Sequence, residues 1–321
     1  MIVYGMRRAN CLKQAIGLLK IFFGAGIFLV FATHESWAQE NVLQEQVRRI
    51  IAPVKGEVGV SIRGIEDATA VSVNGNKHLP MQSVFKFPIA LTVLHEIDKG
   101  RLSLKQEIDI HKGDLLPDTW SPMSQKYPDG VKMPLAEILK YAVAESDNNA
   151  CDILLKLLGG PSKVNDYIHA IGIKDISIQF NEEEMHKDWD AQFSNWITPV
   201  AATALLKVFY GEKILSPKST RFLRDVMTAT KTGTNRIKGQ LPSGTPVAHK
   251  TGTSDTNKEG ITAAVNDIGV VILPDGNHFA IAVFVANSKE NAVTNEKIIA
   301  EISRAAWDYF LERKDSKQVV R

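Results

Sequence analysis

The chain has 321 residues, is 44% hydrophobic and 23% charged, and has a mean hydropathy of −0.09. That profile excludes disordered, collagen-like and multi-pass membrane chains, and the length suits one large domain or two of ordinary size. A formal charge of +2 gives no basic excess for nucleic acid, and two cysteines, Cys11 and Cys151, exclude a disulfide scaffold and a four-cysteine zinc module.

Residues 1–38 read as a secretory signal peptide. Arg7, Arg8, Lys13 and Lys20 precede an apolar run from Ile21 to Ala32, too short for the roughly 20 residues that cross a bilayer. Ser36-Trp37-Ala38 then offers small residues at a cleavage site. An uncleaved anchor is the alternative reading. Without this segment 283 residues remain, with 34 basic and 35 acidic side chains and a single cysteine, Cys151. No internal disulfide can then form, and Cys151 reads as a small core residue of an apolar helix.

Residues 57–74 alternate apolar and polar as strands do, and Asn74-Gly75 ends them in a turn. From Ser83 to Lys99, Val84, Phe87, Leu91, Leu94 and Ile97 recur at helical spacing. Pro88 inside this pattern implies an irregularity, or a helix that begins late enough to hold it in the first turn. The centre is helical. Pro134 opens a segment to about Ser146, Gly159-Gly160-Pro161 stops one helix and starts another, and Thr198-Pro199 and Ser216-Pro217 read as N-cap plus first-turn proline. Between them Gln179–Trp196 is polar, acidic and aperiodic, a long loop of the kind that carries function. Strands return at Pro246–Thr253, Gly260–Leu273 and His278–Ala286, the last two joined by a hairpin at Pro274-Asp-Gly-Asn277. A helix from Thr294 to about Glu312 closes the chain. With strands at both ends and helices between, the expected architecture is α/β plus α. An antiparallel sheet is built from both termini, in a lobe of 39–78 and 231–321, with a helical lobe of 79–230 inserted.

Ser83 and Lys86 stand three apart, so on a helix the hydroxyl and the amine share a face. Serine is a weak nucleophile until a base takes its proton, and a desolvated lysine can serve. Ser83 is the only serine in the chain with this spacing. Ser146-Asp147-Asn148 follows at the end of a predicted helix, where it could equally be an Asn-rich cap. Lys-Thr-Gly occurs twice. Lys231-Thr232-Gly233 follows a predicted helix and its glycine reads as a helix stop, so Lys231 is taken as structural. Lys250-Thr251-Gly252 lies in a strand-like segment that can aim a lysine, a hydroxyl and a backbone amide into a cleft, so Lys250 is taken as functional.

In that order, S-x-x-K, S-D-N and K-T-G resemble a class A serine β-lactamase of the penicillin-binding-protein superfamily, and the PER/CfxA-like extended-spectrum branch in particular. The resemblance covers essentially the whole chain after residue 38. It implies hydrolysis of a β-lactam by way of an acyl-enzyme on Ser83, with the backbone amides of Ser83 and Thr253 holding the oxyanion. Lys86 serves Ser83, Ser146 relays a proton to the leaving nitrogen and Asn148 holds the substrate's side-chain amide. Lys250, Thr251 and Thr253 bind its carboxylate. The resemblance places the deacylating base at Glu182, with His186 four residues on where many relatives carry asparagine; Glu183 and Glu184 are the alternatives. Trp120 matches an aromatic wall of the cleft, its alternative being a partly buried loop residue. Arg236 matches an arginine that supports the carboxylate site from a neighbouring strand, its alternative being a surface charge. Gln82 stands where many relatives have a cysteine.

The eight histidines form no H-E-x-x-H or H-x-H-x-D pair, so no metal or other cofactor is expected. The expected partner is a β-lactam antibiotic, with no nucleic acid and no membrane once the signal is cleaved. The expected state is a secreted or periplasmic monomer. A penicillin-binding D,D-peptidase is the alternative enzyme, disfavoured by the Gln179–Trp196 loop. A non-enzymatic drug sensor lacks the membrane span it would need.

Overall fold

The computed structural model describes residues 40–211 and 214–319. The signal peptide and Cys11 lie outside them. Contacts divide the chain into two units, residues 1–43 and residues 44–321, and the second holds the main sheet and the helices packed on it.

Residues 44–51 are helical (α1). Strands β1 (Glu57–Gly64), β2 (Ala70–Val73) and β3 (Leu79–Pro80) follow, then a 3-10 turn at Gln82–Phe85 that runs straight into α2 (Lys86–Asp98). The middle holds β4 (Glu107–His111), α3 (Pro122–Lys126), β5 (Gly130–Pro134), α4 (Leu135–Ala144), α5 (Asn148–Leu158), α6 (Pro161–Ala170), β6 (Ile176–Ser177), α7 (Glu182–Lys187), β7 (Trp196–Ile197), α8 (Pro199–Tyr210) and α9 (Pro217–Thr228). The chain closes with β8 (Val247–Thr253), β9 (Thr262–Ile272), β10 (His278–Ser288) and α10 (Ala292–Val319).

The main sheet runs β2-β1-β10-β9-β8, every pair antiparallel, so strands from both ends of the sequence meet at β1 and β10. Strands β9 and β10 are buried on both faces through most of their length, which requires helices on both sides. Helices α8 and α10 pack against them. Helix α2 is the hub of the helical part and touches α4, α5, α6 and α9. Its periodicity reads as a one-sided stripe, but it is buried on every side from Lys86 to Leu94. A helix ringed by other helices needs no polar face. Pro88 takes the third helical position, where its missing amide costs no helical bond.

The start signals hold. Thr198 and Ser216 each accept a cap bond from the amide three residues on, and each is followed by proline. Gly159 ends α5 in the left-handed region, at φ 91°, and Pro161 begins α6. The β4–β5 hairpin and the small β3-β7-β6 sheet carry no clear sequence signal. Gln179–Trp196 is not a plain loop, since it contains α7, a 3-10 turn at Ala191–Ser194 and the start of β7. The closing helix runs further at both ends than Thr294 to Glu312.

Candidate active site

Ser83 sits on the 3-10 turn and Lys86 opens α2, so the 3-10 geometry sets the two side chains over one another. Lys86 is fully buried. Its Nζ donates to Ser83 Oγ at 2.9 Å, to Ser146 O at 2.8 Å and to Asn148 Oδ1 at 2.5 Å. Those bonds use all three of its protons. Glu182 Oε1 lies 2.8 Å from the same nitrogen, but its geometry is that of a charge contact and not of a fourth hydrogen bond. Just before Ser83, Gln82 has φ 46°, a strained value for a residue with a side chain.

Ser146-Asp147-Asn148 is a sharp connection between α4 and α5, with Ser146 at φ 58°. The aspartate is structural. Its buried carboxylate caps α5 through Ala150 N and also accepts from Met123 N and Ser121 Oγ. Burial pushes its pKa above the ordinary carboxylate value, against the pull of those hydrogen bonds. They tie the 121–123 segment, and Trp120 before it, to the start of α5. Asn148 is oriented by its neighbours: Oδ1 accepts from Lys86 and Nδ2 donates to Thr119 Oγ1 at 2.8 Å.

On β8, Lys250 is fully buried and its Nζ donates to Ser146 Oγ at 2.8 Å. Burial, and then the positive charge of Lys86, hold the Lys250 amine far below its ordinary pKa. Thr251 and Thr253 face the cleft. Arg236 lies in the connection between α9 and β8, not on a strand as expected, and it is buried, which removes the surface-charge alternative. Its guanidinium donates to Gly252 O, Asn266 O and Thr253 Oγ1, and pairs with Glu296 at 3.2 Å. Gly233 is no helix stop: α9 ends at Thr228, and Gly233 lies beyond it at φ 64°. Lys231 forms an exposed ion pair with Glu145, while Thr232 Oγ1 hydrogen-bonds Thr251 Oγ1 at 2.6 Å and lines the cleft.

The cleft is about 570 Å³ and is lined by Ser83, Trp120, Ser146, Asn148, Glu182, Thr251 and Thr253 among others. Lys86, Lys250 and Arg236 stand behind its wall. Trp120 is 57% exposed, its indole N–H bonded to Glu145 O at 3.0 Å, so it is a rim residue and not a half-buried one. Glu182 is the first residue of α7. A capping box holds that helix start, with Asn181 Oδ1 accepting from Glu184 N and Glu184 Oε2 accepting from Asn181 N. Glu183 and Glu184 are exposed, and of the three only Glu182 is buried against Lys86.

Residues 41–310 match a family described as "Beta-lactamase enzyme family". "Beta-lactamase VEB-1" of Pseudomonas aeruginosa is 48% identical over 89% of this chain and 96% of its own. "Extended-spectrum beta-lactamase PER-1" of the same organism is 41% identical over 89% and 93%. The solved "TLA-3 extended-spectrum beta-lactamase" superposes with a TM-score of 0.84 at 50% identity, over 84% of this chain and 99% of that one. The chain belongs to the class A serine β-lactamases. Membership decides against the D,D-peptidase and sensor alternatives, and it accounts for the antiparallel sheet flanked by helices.

Around this β-lactamase site stand residues that the motifs do not reveal. Asp152 lies one turn after Asn148 on α5, and its carboxylate accepts from Glu182 N at 2.8 Å and Glu183 N at 3.0 Å. Burial raises its pKa to about 6. The i, i+4 spacing from Asn148 was the available signal. Buried Asn195 accepts from Gln179 N and Phe180 N and donates to Phe180 O, closing the base of the 179–196 segment. Gln82 Nε2 donates to Gln192 Oε1 at 2.5 Å, so the position that lacks a cysteine carries an amide link to that segment. Behind β8, His249 Nδ1 meets the carboxylate of Asp267 at 3.0 Å, both residues fully buried. Cys151 is buried, and burial raises its thiol pKa well above normal, which makes it inert core.

Proposed function

We propose that Ser83 is the nucleophile of this β-lactamase and that the surrounding groups divide a two-step acyl transfer among them. The supporting observation is the Lys86 ammonium, which touches Ser83, Ser146, Asn148 and Glu182 at once. In acylation Ser83 Oγ bonds to the lactam carbonyl carbon. Its proton passes to the Glu182 carboxylate beside Lys86, and the lactam C–N bond breaks as Ser146 hands a proton to the nitrogen and recovers one from the Lys86–Glu182 pair, which leaves Glu182 ionised again. Lys250, bonded to the Ser146 hydroxyl, orients that relay. The backbone amides of Ser83 and Thr253 hold the oxyanion, each such donor contributing about 10²–10³ in rate. In deacylation Glu182 takes a proton from water as it attacks the ester carbon, and Ser83 leaves with a proton returned to it.

Asn148 donates to the substrate's side-chain amide. Thr251 and Thr253 take its carboxylate, with Lys250 and Arg236 supplying positive potential from behind. Burial weakens the charged form of Lys250, and an arriving carboxylate favours it again. Trp120 walls the cleft beside the substrate's side chain. With relatives named extended-spectrum enzymes, cephalosporins are the proposed substrates beside penicillins. We place the enzyme in the periplasm or outside the cell, as a monomer. No helix among the described residues is long and apolar enough to cross a membrane. The test is Glu182→Ala mixed with a cephalosporin and followed by mass spectrometry. A persistent adduct on the Ser83 peptide is expected; no adduct, or undiminished turnover, would overturn the assignment.

A further inference from the structure

Asn266 is a buried polar residue without a task in the acyl-transfer mechanism. It sits on β9 opposite Gly252 of β8 and is fully buried. Its Nδ2 donates to Pro80 O at 2.8 Å and to Met81 O at 3.2 Å, the two residues before Gln82-Ser83. Its Oδ1 has no hydrogen-bond partner. The orientation of this amide is therefore forced, because turning it over would point an oxygen at two carbonyl oxygens. Among the described residues no other side chain of the main sheet hydrogen-bonds this approach to the nucleophile.

The link spans a tight junction. A Cβ on Gly252 would stand 2.4 Å from Met81 O and 3.3 Å from Ser83 N, so β8 and the nucleophile's backbone lie against each other with no room for a side chain. The two amides assigned to the oxyanion hole come from the two sides of this junction, Ser83 from the 3-10 turn and Thr253 from the strand. One residue before Ser83 the chain is strained at Gln82, and such a conformation persists only where its surroundings hold it. The Gln192 amide and the Asn195 carbonyl hold it from the side of the 179–196 segment, and Asn266 holds it from the sheet.

We propose that Asn266 is a positioning residue of the oxyanion hole, clasping the Pro80 and Met81 carbonyls so that the Ser83 amide keeps its register against the Thr253 amide. It touches neither substrate nor reacting atoms. The proposal rests on Ser83 being the nucleophile. Hydrogen-bond donors aimed at developing charge lose most of their effect when misplaced by about 1 Å, a loss of about 10²-fold. The effect belongs to the transition state and not to the initial complex.

The test uses Asn266→Leu, close in volume but without the donor, and Asn266→Ser, which keeps a small polar atom too short to reach both carbonyls. Three quantities are read well below the melting temperature: the dissociation constant of the non-covalent cephalosporin complex, the acylation rate constant by quenched-flow mass spectrometry, and the affinity of a boronic acid that forms a tetrahedral adduct on the serine. In either folded variant acylation is expected to fall about 10- to 100-fold and boronic acid affinity to fall in parallel, with the non-covalent constant within about two-fold of the parent. A lowered melting temperature with unchanged acylation and boronic acid affinity overturns the proposal, as does failure of both variants to fold. An adduct that maps away from Ser83 in the parent enzyme removes the nucleophile assignment and this inference together. An adduct on Ser83 with unchanged rates removes this inference alone.

Discussion

The groups proposed for the two halves of the reaction are housed in differently built parts of the molecule. Ser83, Lys86, Ser146 and Lys250 stand on or between regular elements whose backbones are buried in the core: the 3-10 turn leading into α2, the junction of α4 with α5, and β8. Glu182 stands on a six-residue helix that puts one apolar side chain, Met185, into the core and is otherwise held, with its flanks, by side chains bonded to backbone amides and carbonyls: Asp152, Asn181, Gln192 and Asn195. A helix of that length has no stability of its own. The groups proposed for acylation are placed by core elements whose packing many residues share. The segment proposed for deacylation depends more on individual polar contacts, each of which can be removed singly.

The sharpest test of this contrast is Glu182→Gln. Loss of a general base lowers deacylation by about 10²–10⁴-fold, while acylation through Lys86 and Ser83 persists and an acyl-enzyme accumulates. Intact-mass spectrometry with stopped-flow hydrolysis separates the steps, and equal losses in both would break the division between the two regions.

Asn195→Ala strands two backbone amides and one carbonyl at part-buried positions around a buried side chain. Each costs about 1–3 kcal/mol, so the melting temperature drops, and deacylation suffers more than acylation because the disturbed segment carries Glu182. Calorimetry beside pre-steady-state kinetics checks both parts.

Asp152 gives a pH test. Its pKa is raised from 3.8 to about 6 in the folded chain, so folding favours the protonated form. The stability from this carboxyl is complete below its unfolded value and is lost as pH rises through about 6. Turnover runs the opposite way, because the ionised form is the better acceptor for the Glu182 and Glu183 amides. A deacylation-limited kcat therefore declines as pH falls below about 6. In Asp152→Asn that part of the acid limb flattens, and a pH–kcat profile with the parent slope intact would exclude Asp152 as its source.

The smallest effect belongs to the exposed rim. Trp120→Ala removes an aromatic wall worth about 0.5–1.5 kcal/mol, so KM for a bulky cephalosporin rises about 2- to 10-fold with kcat nearly unchanged. Steady-state kinetics on one small and one bulky substrate shows whether the indole acts on the substrate's side chain.

The helices that begin at Thr198-Pro199 and Ser216-Pro217, and the β9–β10 hairpin, were legible because caps, prolines and turn residues act within a few positions of chain. The Ser83–Lys86 pair was legible because a spacing of three acts locally too, whereas the 3-10 turn and the positive φ of Gln82 that carry it were not. The short β3-β7-β6 sheet was not, since two-residue strands have no periodicity to read. The resemblance puts Arg236 on a strand, whereas it reaches the Gly252 and Asn266 carbonyls from a connection, which no local pattern marks. Thr232 was passed over with Lys231 because their motif was judged as a unit, although the lysine points to an exposed ion pair and the hydroxyl to the cleft.

By itself the sequence determined the order of the strands and helices that matter and the identity of the groups that can react, because local propensity and motif spacing depend only on near neighbours in the chain. Tertiary structure decided which of three adjacent glutamates faces Lys86, which of two Lys-Thr-Gly motifs meets Ser146, and that Asp152 and Asn266 bond to the backbone beside Glu182 and Ser83. Those choices depend on burial and on hydrogen bonds between residues as much as 186 positions apart, and no local pattern records them.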